Sequence, residues 1–421
     1  MIKPFCMTKF FLFLLLVVAM ATANAQTVIN HRIFMGKTDS VKSIILNEKR
    51  QVWIYLPQGY DEKGFSKQRY PVVYLLDGDA HFASVTGMIQ QLSEINGNMI
   101  CPDMIVVAIP NTDRTRDLTP TRSLVGPDGK KIPGFETSGG NEKFISFIQK
   151  ELMPHIDSNY ATASYKMLIG HSFGGLTVMN IVVNHTDMFN AYVAIDPSMW
   201  WDNRKLLSQA HDVMKQKKFA GKSLYLAIAN TMPMGMDTQK VRKDTSGATG
   251  HIRSILDLAD ILKANPDNGL KFAYKYYNED NHGSVPLLAE YDALHFLFGF
   301  YKFPDDLGTK LYDPTAKIDV ATIISKHYSD VSANFGYKIL PPESEMNQLG
   351  YFYLQSNAPE KAYAMFNMNV QNYPKSGNVY DSMGDYYDNT KDKNKAIEFY
   401  TKALKISENK DTRDKLNKLM K

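Results

Sequence analysis

The sequence predicts an α/β domain, a mostly parallel sheet flanked by helices, followed by a small all-α domain of helical repeats. Three observations predict it. Short apolar runs such as Tyr70-Pro-Val-Val-Tyr-Leu-Leu76 and Ser223-Leu-Tyr-Leu-Ala-Ile-Ala229 read as buried strands. The apolar stretch ending at Ile169 passes through Gly170-His-Ser172-Phe-Gly174 directly into Leu176–Val183, which suits a buried helix. Near the C-terminus, small and aromatic residues recur at a spacing of 34.

The chain opens with Lys3 and Lys9, an apolar run from Phe10 to Met20, and Ala23-Asn-Ala25. That is the charged, apolar and small-residue order of a cleaved signal peptide, here residues 1–25, and it places the mature chain in the periplasm or outside the cell. The run is too short to cross a bilayer, and no later segment is long enough. Cys6 leaves with the leader, so Cys101 remains without a partner and no internal disulfide forms. Losing Lys3 and Lys9 from 48 basic side chains against 44 acidic ones leaves the mature chain nearly neutral, which excludes nucleic acid as its main partner.

Residues 27–300 read as one α/β domain. Strand Tyr70 to Leu76 leads into Asp77-Gly78-Asp79-Ala-His81-Phe. The central signal is Gly170-x-Ser172-x-Gly174 between strand and helix. Such a turn strains the serine backbone, lifts the hydroxyl off the sheet edge and sets it at a helix N-terminus. A serine used this way needs a base, and the base an orienting group. In the order serine, acid, histidine, the base falls to His282, just past the alternating strand Leu270 to Tyr277 and beside Gly283. His251, directly after Gly250, is its rival, and His171 packs or hydrogen-bonds near the site. The acid should follow strand Ser223 to Ala229, which makes Asp237 the first choice and Asp244 the second. A Ser–His dyad without an acid is the alternative. An oxyanion hole would use the N–H of Phe173 and that of Gly78 or Asp79. No histidine or cysteine pair has zinc-site spacing, and neither a metal nor a cofactor is expected.

Four segments together carry a resemblance: Leu75-Leu-Asp-Gly-Asp-Ala-His-Phe82, Gly170-His-Ser-Phe-Gly-Gly175, Asp196-Pro-Ser-Met-Trp-Trp-Asp202 and Asn281-His-Gly-Ser284. Over about residues 40–300 the chain resembles the esterase branch of the α/β-hydrolases, which holds esterase D-type enzymes, trilactone siderophore (enterobactin-type) esterases and feruloyl or acetyl-xylan esterases. The resemblance implies a serine carboxylic-ester hydrolase with Ser172 as nucleophile, His282 as base and Trp200 or Trp201 as pocket wall. Family acids vary in identity and position, so it does not fix Asp237. Ile109 to Pro120 resembles the segment that borders the active site. Its Arg114 and Arg116 offer forks for a substrate carboxylate or catecholate, or internal ion pairs that pin the loop.

The expected substrate is a feruloyl or acetyl ester of plant polysaccharide, either a small molecule or an esterified glycan. The alternatives are a trilactone siderophore, acyl transfer to a sugar acceptor, and a non-enzymatic repeat scaffold.

Residues 301–342 form a connector punctuated by Pro304, Pro314, Pro341 and Pro342, with a helix from Asp319 to Ser329. Over residues 343–421, Leu349, Gly350, Ala362 and Phe366 match Met383, Gly384, Ala396 and Tyr400. Their spacing is the tetratricopeptide period. Two such repeats bury too little surface to stand alone, so the module should dock on the α/β domain, with a capping helix near Asp411 to Met420. A structural or homodimer-forming role is expected ahead of binding a protein partner.

Overall fold

A computed structural model describes residues 28–421 except 30–31, 61–65, 67 and 94. The leader, residues 1–25, lies outside the described residues. Cys101 is fully buried and free.

Eight strands form the central sheet: β1 (Lys37–Ser43), β2 (Glu48–Tyr55), β3 (Tyr70–Leu76), β4 (Ile105–Ile109), β5 (Thr162–His171), β6 (Ala191–Ile195), β7 (Ser223–Ala229) and β8 (Lys271–Tyr277). Their spatial order is β1-β2-β4-β3-β5-β6-β7-β8. The β1/β2 and β2/β4 pairs are antiparallel and all others parallel. The fold expected from sequence is the one observed.

Strands β3, β4 and β6 are buried from end to end, because helices cover both faces. Alternate residues serve opposite layers. Val72, Tyr74 and Leu76 pack with the Phe173–Asn184, Trp201–Gln216 and Gly250–Lys263 helices, while Val73 and Leu75 pack with Gly78–Ser93 and Val285–Phe298. Order reverses around β3, whose neighbours β4 and β5 follow it in sequence on opposite sides. Such a reversal opens a crevice at the strands' C-terminal ends. Strands β3, β5 and β6 deliver their following loops there.

The connector helix runs Val320–Phe335, longer than expected. Its Phe335 inserts against the α/β domain, with ring centroids 4.9 Å from Tyr165 and 5.3 Å from Phe300. The Ser66 N–H donates to Glu343 at 3.0 Å. Five helices follow: Glu343–Gln355, Pro359–Asn372, Gly377–Asn389, Lys393–Ile406 and Lys410–Met420. The 34-residue spacing has a packing cause. A Cβ on Gly350 would lie 2.6 Å from the Phe366 ring, and one on Gly384 would lie 2.5 Å from the Tyr400 ring. Each glycine lets the aromatic of its paired helix lie flat against the backbone. Asp385 joins the two pairs by accepting from Tyr351 and Tyr400, both at 2.6 Å. No described helix is long and apolar enough to cross a membrane.

Replacing Gly350 by Ala should therefore overpack a fully buried ring. We expect a loss on the order of 1–3 kcal/mol, read from the urea midpoint of the whole chain, with turnover of a small ester unchanged at low denaturant.

Candidate active site

The turn after β5 brings Ser172 to the crevice. Its backbone is left-handed, at φ 59° and ψ −114°. The reversal is tight because Gly170 and Gly174 nearly touch: a Cβ on Gly170 would stand 2.4 Å from the Gly174 carbonyl oxygen. A backbone atom cannot yield there, so only glycine fits. The Ser172 N–H donates to Ile195 O at 2.9 Å, tying the elbow to the end of β6.

His282, in the loop between β8 and the Val285–Phe298 helix, faces Ser172. Its Nε2 lies 3.1 Å from Ser172 Oγ, within reach for proton transfer. Its Nδ1 lies 2.5 Å from Oδ2 of Asp196. Among the described residues this completes a hydroxyl–imidazole–carboxylate line. Asp196 is wholly buried, directly after β6, and itself left-handed at φ 41°. Burial alone would push its carboxyl up. Hydrogen bonds from His251, His282 and the Ala229 N–H overcome this and hold it well below the usual carboxylate range.

The expected acid is thus corrected. Asp237 is exposed and caps the Thr238–Lys243 helix, accepting from the N–H groups of Gln239 at 2.9 Å and Lys240 at 2.8 Å. Asp244 accepts from Ser246 and Thr249 and is likewise remote from the imidazole in bonding. The carboxylate that meets the imidazole follows β6, one strand earlier than expected. Its sequence signal was an aspartate directly behind the apolar run Ala191–Ile195, within a segment already noted.

His251 does not face the serine: its Nε2 lies 2.8 Å from Asp196 Oδ2. The donor atoms of Asp196, His251 and His282 lie within 4.8 Å of one another. Each is engaged in the hydrogen bonds just described. His171 packs on His282 with ring centroids 4.5 Å apart, and His81 packs edge-on against His171 at 5.8 Å. Burial, then the neighbouring His282 and His81, lowers His171 to about 4, so its ring is neutral at neutral pH.

Phe173, Gly78 and Asp79 occupy the first positions of the Phe173–Asn184 and Gly78–Ser93 helices. N–H groups there have no acceptor within their own helix. The arrangement suits a developing oxyanion. Both arginine forks, however, are committed internally. Arg114 grips Asp77 through Nε at 2.6 Å and Nη2 at 2.9 Å and lies over the Phe173 ring at 5.3 Å. Arg116 pairs with Asp117 at 2.7 Å and Glu48 at 2.9 Å. Neither offers a free fork to a substrate: Arg114 is held by Asp77, and Arg116 shares Asp117 and Glu48 with Arg50. Trp201 is core, with Nε1 donating to Thr121 O at 3.0 Å. Trp200 is half-buried, 6.2 Å from Phe173 by centroids, and is the tryptophan with surface to offer.

With this geometry in view, the comparisons are specific. Residues 43–260 match the family model described as Putative esterase, and residues 377–410 match a tetratricopeptide repeat. The chain belongs to the Putative esterase family. It is 30% identical over 174 residues to the siderophore enterobactin esterase of Emericella nidulans, a match covering 38% of this chain and 57% of that one. It is 34% identical over 162 residues to the ferri-bacillibactin esterase BesA of Bacillus subtilis, covering 35% and 55%. The chain spans little more than half the length of these curated relatives. An IroE-like serine hydrolase from Shewanella oneidensis superposes with a TM-score of 0.67 at 32% identity, covering 80% of this chain and 99% of that structure.

Two predictions follow from the geometry. Asp196→Asn should lower kcat on the order of 10³–10⁴-fold, as when an orienting carboxylate is lost, whereas Asp237→Asn should leave steady-state kinetics unchanged. The second concerns Glu290, buried beside His81 with Nδ1 and Oε1 3.5 Å apart. Burial raises Glu290 to about 8, against 4.5 for the unfolded side chain. Between those values the folded state holds more protons, so stability falls as pH rises through the window, by at most about 1.4 kcal/mol per pH unit. Glu290→Gln should flatten this slope in thermal unfolding and leave stability near pH 4 little changed.

Proposed function

We propose that this protein is an exported serine ester hydrolase that opens the ester or lactone bonds of a siderophore through an acyl-enzyme. What carries the chemistry is the hydrogen-bonded line from Ser172 through His282 to Asp196 at a strained strand-to-helix turn. In the proposed sequence Ser172 Oγ attacks the ester carbonyl while His282 Nε2 takes its proton. Asp196 stabilises the imidazolium through Nδ1–H. The tetrahedral oxyanion is held by the N–H of Phe173 and that of Gly78 or Asp79. His282 then protonates the departing alkoxide, and a water activated by the same nitrogen releases the acyl group.

The substrate class moves from the plant-polysaccharide ester first expected to the siderophore alternative. The support is the kind of relative found: esterases of enterobactin, ferri-bacillibactin and triacetylfusarinine C. Export rests on the leader pattern of residues 1–25.

The test is hydrolysis of a catecholate trilactone, free and iron-loaded, followed by chromatography of the linear products, with methyl ferulate in parallel. We expect kcat/KM of at least about 10⁴ M⁻¹s⁻¹ on one trilactone form and at least about tenfold less on the ferulate. Ser172→Ala should lose on the order of 10³-fold or more in kcat. Preferential release of ferulate would return the substrate to the hydroxycinnamoyl class, and an active Ser172→Ala chain would end the serine mechanism.

A further inference from the structure

Asp196 holds one more imidazole than a base requires. Its Oδ1 accepts the Ala229 N–H at 2.9 Å. Its Oδ2 accepts from His282 at 2.5 Å and from His251 at 2.8 Å. An ionised carboxylate can only accept, so His251 Nε2 carries a proton and donates it. His251 sits in the first turn of the Gly250–Lys263 helix, and its ring stands edge-on to that of His282, 5.1 Å away at 87°. It therefore touches both the carboxylate and the base, yet has no contact with Ser172.

We propose that His251 is a positioning residue, whose Nε2–H fixes the plane of the Asp196 carboxylate and thereby aims His282 Nε2 at Ser172 Oγ. The inference rests on the serine-hydrolase reading above. The torsion that turns a carboxylate is broad and nearly two-fold. One bond to the loop of His282 would leave that plane free to rock. The Ala229 N–H fixes one oxygen, and a donor on a helix fixes the other from a second direction. Around this unit lie further titratable and charged groups: Asp77, Asp79 and Arg114 beside His81 and His171, and Asp280 in the His282 loop, where it accepts from Ser284. Asp196 lies between the two imidazoles, His171 packs on His282 at 4.5 Å, and His81 packs on His171 at 5.8 Å.

A residue that only filled space or satisfied a buried carboxylate would affect stability alone. The distinguishing experiment uses the full-length mature chain and a small activated acetyl ester. Steady-state kinetics from pH 5 to 9 would be measured for the wild type, His251→Gln, His251→Leu and Ser172→Ala, with urea midpoints alongside. Glutamine carries an N–H donor at about the reach of His Nε2; leucine carries none. We expect His251→Leu to lower kcat on the order of 10- to 100-fold, by analogy with the loss of a residue that orients a metal-bound histidine. Its KM should stay within about twofold, because no substrate contact is lost. His251→Gln should recover most of kcat. The proposal is overturned if His251→Leu keeps the wild-type kcat, or if His251→Gln is as impaired as His251→Leu. A wild type without Ser172-dependent turnover sinks this proposal and the parent reading together. An active wild type, an inactive Ser172→Ala chain and indifferent His251 variants sink this one only.

Discussion

Three neighbouring parallel strands end in the same way, and the site depends on that constraint. The residue directly behind β3, β5 and β6 is left-handed in each case: Asp77 at φ 50°, Ser172 at φ 59° and Asp196 at φ 41°. None is a glycine, so each turn stores strain of order 1–3 kcal/mol. The strain persists because each turn is held from outside. Asp77 is gripped by the Arg114 fork and by Asn111 Nδ2 at 2.8 Å. The Ser172 N–H is bound by Ile195 O, and the Asp196 N–H by Ala227 O, both at 2.9 Å. The turns also brace one another, since the Arg114 guanidinium reaches the carbonyl of His171 at 3.3 Å. A sharp reversal at these three points throws side chains outward from the sheet edge and starts two helices there at once.

How much of this could be read from sequence follows from how local each cause is. The elbow was legible because strand, glycines, serine and helix are contiguous, and the reason for Gly170 lies four residues away at Gly174. His282 was legible as a histidine in a polar loop behind a strand. The carboxylate that meets His282 was not, because its identity depends on which strand lies beside β5 in the sheet. Strand β6 does, so the residue after β6 meets the histidine, while the residues after β7 are spent on capping helices. Asp237 has the composition of an acid and the surroundings of an N-cap, and only the second is decisive. Likewise Trp200 and Trp201 are indistinguishable as letters, and one of them had to close the core against Phe135 and Phe173.

The repeats show the same division. Their spacing is readable because each glycine answers an aromatic in its paired helix. Their docking surface is not, because the wedge that joins them to the α/β domain comes from the connector. Phe335 packs among Tyr165, Phe298 and Phe300, so the helix that precedes the repeats shares the core beneath the sheet. That explains how so short an array is stable: its exposed end is closed by the Lys410–Met420 helix, and its other end is continuous with a large core.

The internal commitment of both arginines changes what the site can use to recognise a ligand. A free Arg114 fork would have favoured an anionic group by charge. Bound to Asp77, the same guanidinium supports the turn that begins the Gly78–Ser93 helix and lies over Phe173, the residue next to the serine. Its contribution is to the shape of the oxyanion region, and Lys would not replace it, having no fork to hold two carboxylate oxygens at once. Trp200, by contrast, stands half-buried against Phe173, and its indole offers apolar surface that needs no counter-ion.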